Sequence, residues 1–95
     1  MPISRFTWDP AKNRANSAKH GVTFETASEI FNDRTVELPD ERFDYGEDRW
    51  IAVGLAGGRE LTVVYTVTDN DQIRIISARG ATSKERRFYW TNASR

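Results

Sequence analysis

The feature that most constrains the fold is a run of three alternating segments between residues 49 and 79. The segments read RWIAVGL, LTVVYTV and QIRIISAR, and the turns between them read AGGRE and TDND. Apolar residues recur at every second position of each segment, which is the pattern of a β-strand with one buried face. Because short turns join neighbouring antiparallel strands, the pattern predicts a three-stranded antiparallel meander.

Helix signals flank the meander on both sides. Asp9-Pro10 predicts a helix start and Gly21 predicts its end, while Thr23 opens a second helix. RTVEL predicts a short strand, and TSKE is a capping box that opens a final helix. We therefore predict one α+β domain over residues 1–95. It has a small antiparallel β-sheet of three to four strands, with two N-terminal helices and one C-terminal helix covering one face.

Composition and motifs exclude several classes of protein. The chain has no cysteine and one histidine, so neither a disulfide framework nor a zinc site is expected. GLAGG lies between two predicted strands and lacks the lysine of a phosphate loop, and no Gly-x-Ser-x-Gly elbow occurs. No segment approaches the roughly 20 apolar residues of a membrane span, and the N-terminus lacks signal-peptide character. We expect a cytoplasmic protein without metal or cofactor.

Charge is segregated along the chain although the formal net charge is zero. Residues 1–24 carry a net charge of +3, residues 25–48 carry −7, and residues 74–95 carry +5. If the two basic ends meet in the fold, they form a positive face suited to an anionic partner such as nucleic acid. The alternative is that the charges are dispersed over a solvated surface, and composition does not decide between the two.

Basic and aromatic residues are interleaved in the second half of the chain. Guanidinium groups bind phosphates bidentately and aromatic rings stack on unpaired bases, so these residues are candidates for contacts with RNA. They are Arg49, Trp50, Tyr65, Arg74, Arg79, Arg86 and Arg87. The alternative is that the rings belong to the core and the arginines pair with acids. For the aromatic residues alone, the pattern favours that structural alternative.

His20 is the single histidine and stands at the predicted end of the first helix. An imidazolium there interacts favourably with the negative end of the helix dipole, which is a structural role. Beside Lys19 it also forms a basic pair within reach of a phosphate at the rim of the sheet. Taken alone, a single histidine at a helix end favours the structural role, although the functional role stays open.

Three stretches resemble the BrnT family, the ribonuclease toxins of type II toxin-antitoxin pairs. They read FTWDPAKNRANSAKHGVTFETASEIFND, GEDRWIAVGLAGGRELTVVYT and IRIISARGATSKERRFY, and they span about residues 6–90. The resemblance implies a RelE-like fold and an endoribonuclease that inhibits translation by cleaving RNA. It also implies a BrnA-like antitoxin that neutralises the toxin, in a complex that binds operator DNA through the antitoxin.

The chemistry implied by the resemblance is internal attack of a ribose 2′-hydroxyl on the adjacent phosphate. It needs a base, an acid and cations for the developing charge, but no metal. Arg79 stands just before Gly80, next to the N-terminal amides of the final helix, which also favour a phosphate. The alternative function is a non-catalytic RNA-binding or regulatory interaction module.

The resemblance and this chemistry together define a set of candidate residues. Arg74 and Arg79 are expected to contact the phosphate, with Arg49 beside them. Lys19, His20 and Glu47 compete for the acid and base roles, and Tyr65 stacks or donates a proton. Lys12, Trp50, Arg86 and Arg87 complete the set as RNA-binding residues.

Overall fold

The computed structural model describes residues 5–93. Residues 1–4 and 94–95, among them the C-terminal base Arg95, lie outside the described residues. The elements are β1 (Phe6–Thr7), α1 (Pro10–His20), α2 (Phe24–Ser28), a 3₁₀ turn (Glu29–Asn32), β2 (Val36–Pro39), β3 (Trp50–Ala56), β4 (Arg59–Val67), β5 (Ile73–Gly80) and α3 (Ser83–Ala93). Among these residues, no helix is long and apolar enough to cross a membrane.

The strands form one sheet in the order β1-β5-β4-β3-β2. Strands β2 to β5 pair antiparallel, which confirms the predicted meander. The β3–β4 turn consists of Gly57 and Gly58, both with positive φ, since Ala56 pairs with Arg59. Two positive φ angles are what a two-residue hairpin of type I′ requires, and glycine adopts them without strain.

The sheet has five strands rather than the three to four predicted. The additional strand is β1, only two residues long, which pairs parallel with β5 through Phe6–Ile73 and Thr7–Arg74. A pair of residues is too short to show an alternating pattern, so no sequence signal marks it. The α+β class and the three helices are as predicted.

The main core lies between the sheet and the N-terminal helices. Phe24, Ala27 and Ile30 are fully buried against the inward residues of the strands, such as Val63 and Ile75. Thr23 caps α2 by accepting a hydrogen bond from the amide of Thr26, and the turn after α2 approaches β3 closely. A Cβ at Gly54 would lie 2.9 Å from the Cβ of Ile30, so only glycine fits there.

The opposite face of the sheet is covered only in part. Helix α3 packs over β2 and β3, where Tyr89 and Val53 form a second, smaller core. The prediction that all helices cover one face is therefore wrong, because α3 lies on the other side. As a result, α1 and α3, which carry part of the two basic segments, lie on opposite faces of the sheet.

Both ends of α1 follow the predicted signals. Asp9 caps the helix by accepting a hydrogen bond from the amide of Ala11 at 2.8 Å, and Gly21 ends it with φ of 69°. Within α1 only Asn16 is buried. Its side chain donates to the carbonyls of Val22 and Ala78 and accepts from the amide of Ala78, so a polar clamp holds α1 on β5.

Candidate active site

The predicted residues do not form one cluster but lie at four places in the fold. Glu47, Arg49, Trp50 and Arg74 line grooves at one end of the sheet. Lys12, Lys19 and His20 line a shallow groove beside α1. Arg79 lies at the start of α3, and Arg86 and Arg87 lie on α3 itself. Tyr65 belongs to the main core.

The end of the sheet where β3 begins, β4 ends and β5 begins carries an open groove of about 420 Å³. We call it the rim groove, and it is lined by Glu47, Asp48, Trp50, Thr66, Val67, Thr68, Asp69 and Arg74. It continues into a second groove of about 630 Å³ under residues 39–50, which we call the loop groove. The two grooves share Glu47, Asp48 and Trp50, so one molecule is able to occupy both.

Arg74 is the cation of the rim groove that is available for a ligand. It pairs with Thr66 of β4 and is half-buried, and its side chain lies on the sheet face away from the main core. Its guanidinium forms no hydrogen bond or ion pair with any residue from 5 to 93. Because such a group binds anions bidentately, this is a suitable site for a phosphate.

Glu47 is one of three carboxylates that line the same groove, with Asp48 and Asp69, and Arg49 fixes its position. The Arg49 Nε donates to Glu47 Oε2 at 2.9 Å. The guanidinium of Arg49 also lies 4.0 Å from the centre of the Tyr45 ring, a cation–π contact. Since Arg49 contacts both groups, the carboxylate and the ring have fixed positions at the groove wall.

Arg79, predicted to contact a phosphate, is instead bound to a carboxylate. Its two terminal nitrogens donate to the two oxygens of Glu85 at 2.7 and 2.8 Å. Glu85 also accepts hydrogen bonds from the Thr82 amide and the Thr62 hydroxyl, which completes the predicted capping box of α3. The hydrogen bonds from Arg79 lower the pKa of Glu85 to about 2. Arg79 thus joins β5 to α3.

Arg86 and Arg87 lie on α3, away from the rim groove. Arg86 donates to the carbonyl of Ala81 and to the hydroxyl of Ser83, so it closes the first turn of its own helix. Arg87 is exposed. Neither residue lines the rim groove or the loop groove.

Tyr65 lies in the main core rather than in a groove. Its ring packs edge-on against Phe31 at 5.2 Å, and its hydroxyl donates a hydrogen bond to Glu37. Burial, with Glu37 as a second cause, raises the pKa of this phenol well above its ordinary value. Burial of the ring and a bonded hydroxyl fit a structural role for Tyr65, which is the alternative that the sequence pattern favoured for the aromatic residues.

His20 is the last residue of α1, as predicted, and Gly21 closes the helix behind it. With Lys12 and Lys19 it lines a groove of about 250 Å³ against Ile76 and Ser77 of β5. We call this the helix-end groove. Its strand residues, Ile76 and Ser77, follow Arg74 by two and three positions along β5. The geometry allows both the structural and the functional role of His20.

The loop between β2 and β3 contains residues that sequence reasoning missed. Asp40 is buried and accepts hydrogen bonds from the Nε and Nη2 of Arg42, both at 2.8 Å. These bonds lower the pKa of Asp40 to about 2. The aromatic pair Phe43 and Tyr45 follows, with ring centres 5.8 Å apart. The acidic run PDERFDYGED indicated only a charged loop, although its two aromatic residues were a signal that the loop is structured.

No group of three or more His, Cys, Asp or Glu side chains within residues 5–93 is arranged to hold a metal ion. The chemical groups that line the rim groove are three carboxylates, an arginine without a partner among residues 5–93 and the Trp50 ring, with further aromatic rings beyond the shared wall. A carboxylate is able to take a proton, and a guanidinium is able to stabilise negative charge on a phosphate.

Comparison with known proteins defines the class. Residues 8–85 match the family model described as "Ribonuclease toxin, BrnT, of type II toxin-antitoxin system". The chain is thus of the ribonuclease-toxin class, and it belongs to the BrnT family. Of the predicted residues, Arg86 and Arg87 lie outside the matched segment.

A solved structure agrees with this assignment. The chain is similar to the Brucella abortus ribonuclease toxin BrnT, known from a crystal structure at 1.1 Å resolution, with a TM-score of 0.67 and 28% sequence identity. The similarity covers 82% of this chain and 96% of that chain. A search of curated protein sequences finds no match.

Proposed function

We propose that this protein is an endoribonuclease toxin that cleaves RNA at the rim groove without a metal ion. Its family consists of ribonuclease toxins of type II toxin-antitoxin systems. The single observation that carries the location is Arg74, a half-buried guanidinium in an open groove with no partner among the described residues. A guanidinium that makes no internal bond is available to bind a phosphate bidentately.

The proposed reaction is transesterification within the RNA strand. The 2′-oxygen attacks the adjacent phosphorus and the bond from phosphorus to the 5′-oxygen breaks, which leaves a 2′,3′-cyclic phosphate and a 5′-hydroxyl. Glu47, oriented by Arg49, takes the proton of the 2′-hydroxyl, and Arg74 stabilises the charge on the phosphorane oxygens. Lys19 or His20 gives a proton to the leaving 5′-oxygen, which becomes the 5′-hydroxyl.

The proposed partner is a cognate antitoxin of the BrnA type that neutralises the enzyme. Type II systems pair the toxin with a protein, and the family description names such a system. Because Arg74 and the cations of the helix-end groove are exposed or half-buried and have no partners among residues 5–93, an acid-rich antitoxin would complement them. In this proposal the complex contacts operator DNA through the antitoxin.

The deciding experiment incubates the purified chain with RNA in excess EDTA and identifies the ends of the products. The proposal expects cleavage in EDTA, with 2′,3′-cyclic phosphate and 5′-hydroxyl ends. Glu47→Gln should lower the rate about 100-fold, the lower end of the usual contribution of a general base. Activity that is lost in EDTA and restored by magnesium would contradict the mechanism, whereas cleavage by Glu47→Gln at the parent rate would remove Glu47 from it.

A second candidate is a non-catalytic RNA-binding or regulatory module. It is favoured by one observation: Arg79 and Tyr65, two of the predicted catalytic residues, are bound to Glu85 and Glu37. A chain that binds RNA but yields no new ends, and whose expression does not arrest growth, would support this candidate. Growth arrest relieved by co-expression of the antitoxin would support the toxin.

A further inference from the structure

The most exposed large apolar side chain within residues 5–93 lies on the loop between β2 and β3. Phe43 is 71% exposed, although burial of a ring of this size is strongly favourable. Its neighbour Tyr45 is half-buried, and Arg49 lies over the Tyr45 ring at 4.0 Å. All three residues line the loop groove, so the groove combines an open aromatic face with a fixed guanidinium.

The loop that carries these rings is held in place by hydrogen bonds. The Asp40 amide donates to the Arg49 carbonyl at 2.7 Å, which closes the base of the loop. The Asp40 carboxylate binds Arg42, and Gly46 turns the chain with φ of 71° while its amide donates to Asp44. A ring on a loop fixed in this way binds a flat ligand with little loss of conformational entropy.

The charges of the loop groove select the part of a nucleic acid that fits it. Glu41, Asp44, Glu47 and Asp48 line it beside the single cation Arg49 and the buried Asp40. The loop groove offers a phosphate or an acid-rich protein segment no unpaired cation, because Arg49 is bound to Glu47, whereas the rim groove offers Arg74. Unpaired bases stack on aromatic rings, and their N–H groups donate to carboxylates. Guanine fits best, because its N1–H and N2–H₂ groups are able to donate to both oxygens of one carboxylate.

We infer that the loop groove is a nucleobase subsite, in which Phe43 and Tyr45 stack on an unpaired base and a carboxylate of the lining reads its edge, with guanine preferred. The inference rests on the proposed function, since the base belongs to the RNA that is cleaved. The shared wall of Glu47, Asp48 and Trp50 places this base next to the phosphate at Arg74. The subsite would therefore set the sequence preference of cleavage.

The test measures binding separately from cleavage. Short oligonucleotides with 2′-O-methyl groups have no free 2′-hydroxyl and are not cleaved by the proposed mechanism, so their Kd reports binding alone. Phe43→Ala should raise the Kd of a guanine-containing oligonucleotide roughly 5- to 100-fold, the range for loss of one stacked base. Phe43→Trp should bind like the parent. Leu38→Ala, which removes an exposed apolar side chain outside the loop groove, is the matched control and should also bind like the parent.

The second arm replaces the single guanine by uracil in the same oligonucleotide. The parent should bind the uracil version at least about 5-fold more weakly, because one of the two hydrogen-bond donors on the base edge is lost. In Phe43→Ala this preference should be reduced. Equal binding of the two oligonucleotides by the parent would overturn the guanine assignment.

The outcomes separate this inference from the proposed function. If the parent cleaves RNA but Phe43→Ala binds and cleaves like the parent at the same positions, the subsite is overturned while the nuclease stands. If the oligonucleotide binds through Phe43 but the parent cleaves no RNA, the subsite stands and the proposed nuclease is overturned. If Phe43→Ala loses binding of the antitoxin and keeps that of RNA, the ring is a protein contact and the inference is overturned.

Discussion

The two ends of β5 carry the same residue type in contrasting surroundings. Arg74 and Arg79 lie opposite Thr66 and Thr62 of β4, on the same face of the sheet. Arg79 is bound through both terminal nitrogens to Glu85, whereas Arg74 has no partner among residues 5–93 and lines an open groove. One arginine therefore stabilises the fold, and the other is available for chemistry.

This difference shows that residue type and strand position do not distinguish a paired arginine from an unpaired one. What distinguishes the two is the element that follows β5. Helix α3 begins at Ser83 and brings Glu85 to Arg79, while no acidic side chain forms an ion pair with Arg74 in the described part of the chain. A half-buried cation that the fold leaves unpaired is a stronger indication of a site than a cation that it has paired.

The largest effect is expected at the start of β5, which we call its open end because Arg74 has no partner there among residues 5–93. Arg74→Ala should lower the single-turnover rate of RNA cleavage about 100-fold, equivalent to about 2.7 kcal/mol of transition-state stabilisation. The free energy of unfolding should change by less than about 0.5 kcal/mol, because the side chain makes no internal hydrogen bond. Arg74→Lys keeps the charge but not the bidentate geometry, so an intermediate rate is expected. Unchanged cleavage by Arg74→Ala would remove the distinction between the two ends.

The next effect concerns stability at the other end of β5, which we call its closed end because Arg79 is paired with Glu85 there. Glu85→Ala removes the acceptor for Arg79, the Thr82 amide and the Thr62 hydroxyl. We expect the free energy of unfolding, measured in urea, to fall by about 2 kcal/mol, because several groups lose their partner at once. At a temperature where the variant is folded, RNA cleavage should stay within a few-fold of the parent. A stability equal to that of the parent would show that the network contributes nothing.

The pH dependence sharpens the same contrast. The pKa of Glu85 is lowered from 4.5 to about 2, chiefly by the hydrogen bonds from Arg79. The Glu85 carboxylate therefore stabilises the fold fully above about pH 4.5, and this stabilisation is lost as the pH falls towards 2. Glu85→Gln should be less stable than the parent by about 1–2 kcal/mol at neutral pH, and the difference should shrink on acidification. Asp40, whose pKa is also about 2, adds the same pH dependence to the stability of both proteins. Parallel stability curves for the two proteins would contradict the assignment.

The smallest effect is expected at Thr62. Its buried hydroxyl donates one hydrogen bond to Glu85 at 2.9 Å. Thr62→Val keeps the shape of the side chain and removes that bond, so the free energy of unfolding should fall by about 0.5–1 kcal/mol. A double-mutant cycle with Glu85→Ala measures the coupling, and additive effects would mean that the bond is not formed in solution.

Local signals in the sequence were sufficient for most of the fold. Asp9-Pro10, Gly21 and the TSKE capping box act within a few residues, and the structure confirms each of them. The alternating segments predicted the meander for the same reason. The strand β1 and the position of α3 on the opposite face depend on contacts distant in sequence, and no local pattern specifies them.

The candidate site was less predictable, because it depends on which side chains meet. The capping box indicated that Glu85 would bind the Thr82 amide, but not that it would also bind Arg79. Asn16 reads as a polar helix residue, yet its clamp on Ala78 holds α1 to the sheet. The aromatic residues of the acidic loop became visible as a surface only through the fold of residues 40–49.

The central claim is that the open end of β5 carries the chemistry and the closed end carries stability. The most direct test measures the RNA cleavage rate and the free energy of unfolding on the same preparations of Arg74→Ala and Arg79→Ala. The account predicts that Arg74→Ala loses about 100-fold in rate and keeps its stability, while Arg79→Ala loses about 1–3 kcal/mol of stability and, when folded, cleaves within a few-fold of the parent. The reverse pattern, in which Arg79→Ala is stable and inactive and Arg74→Ala is active, would contradict it.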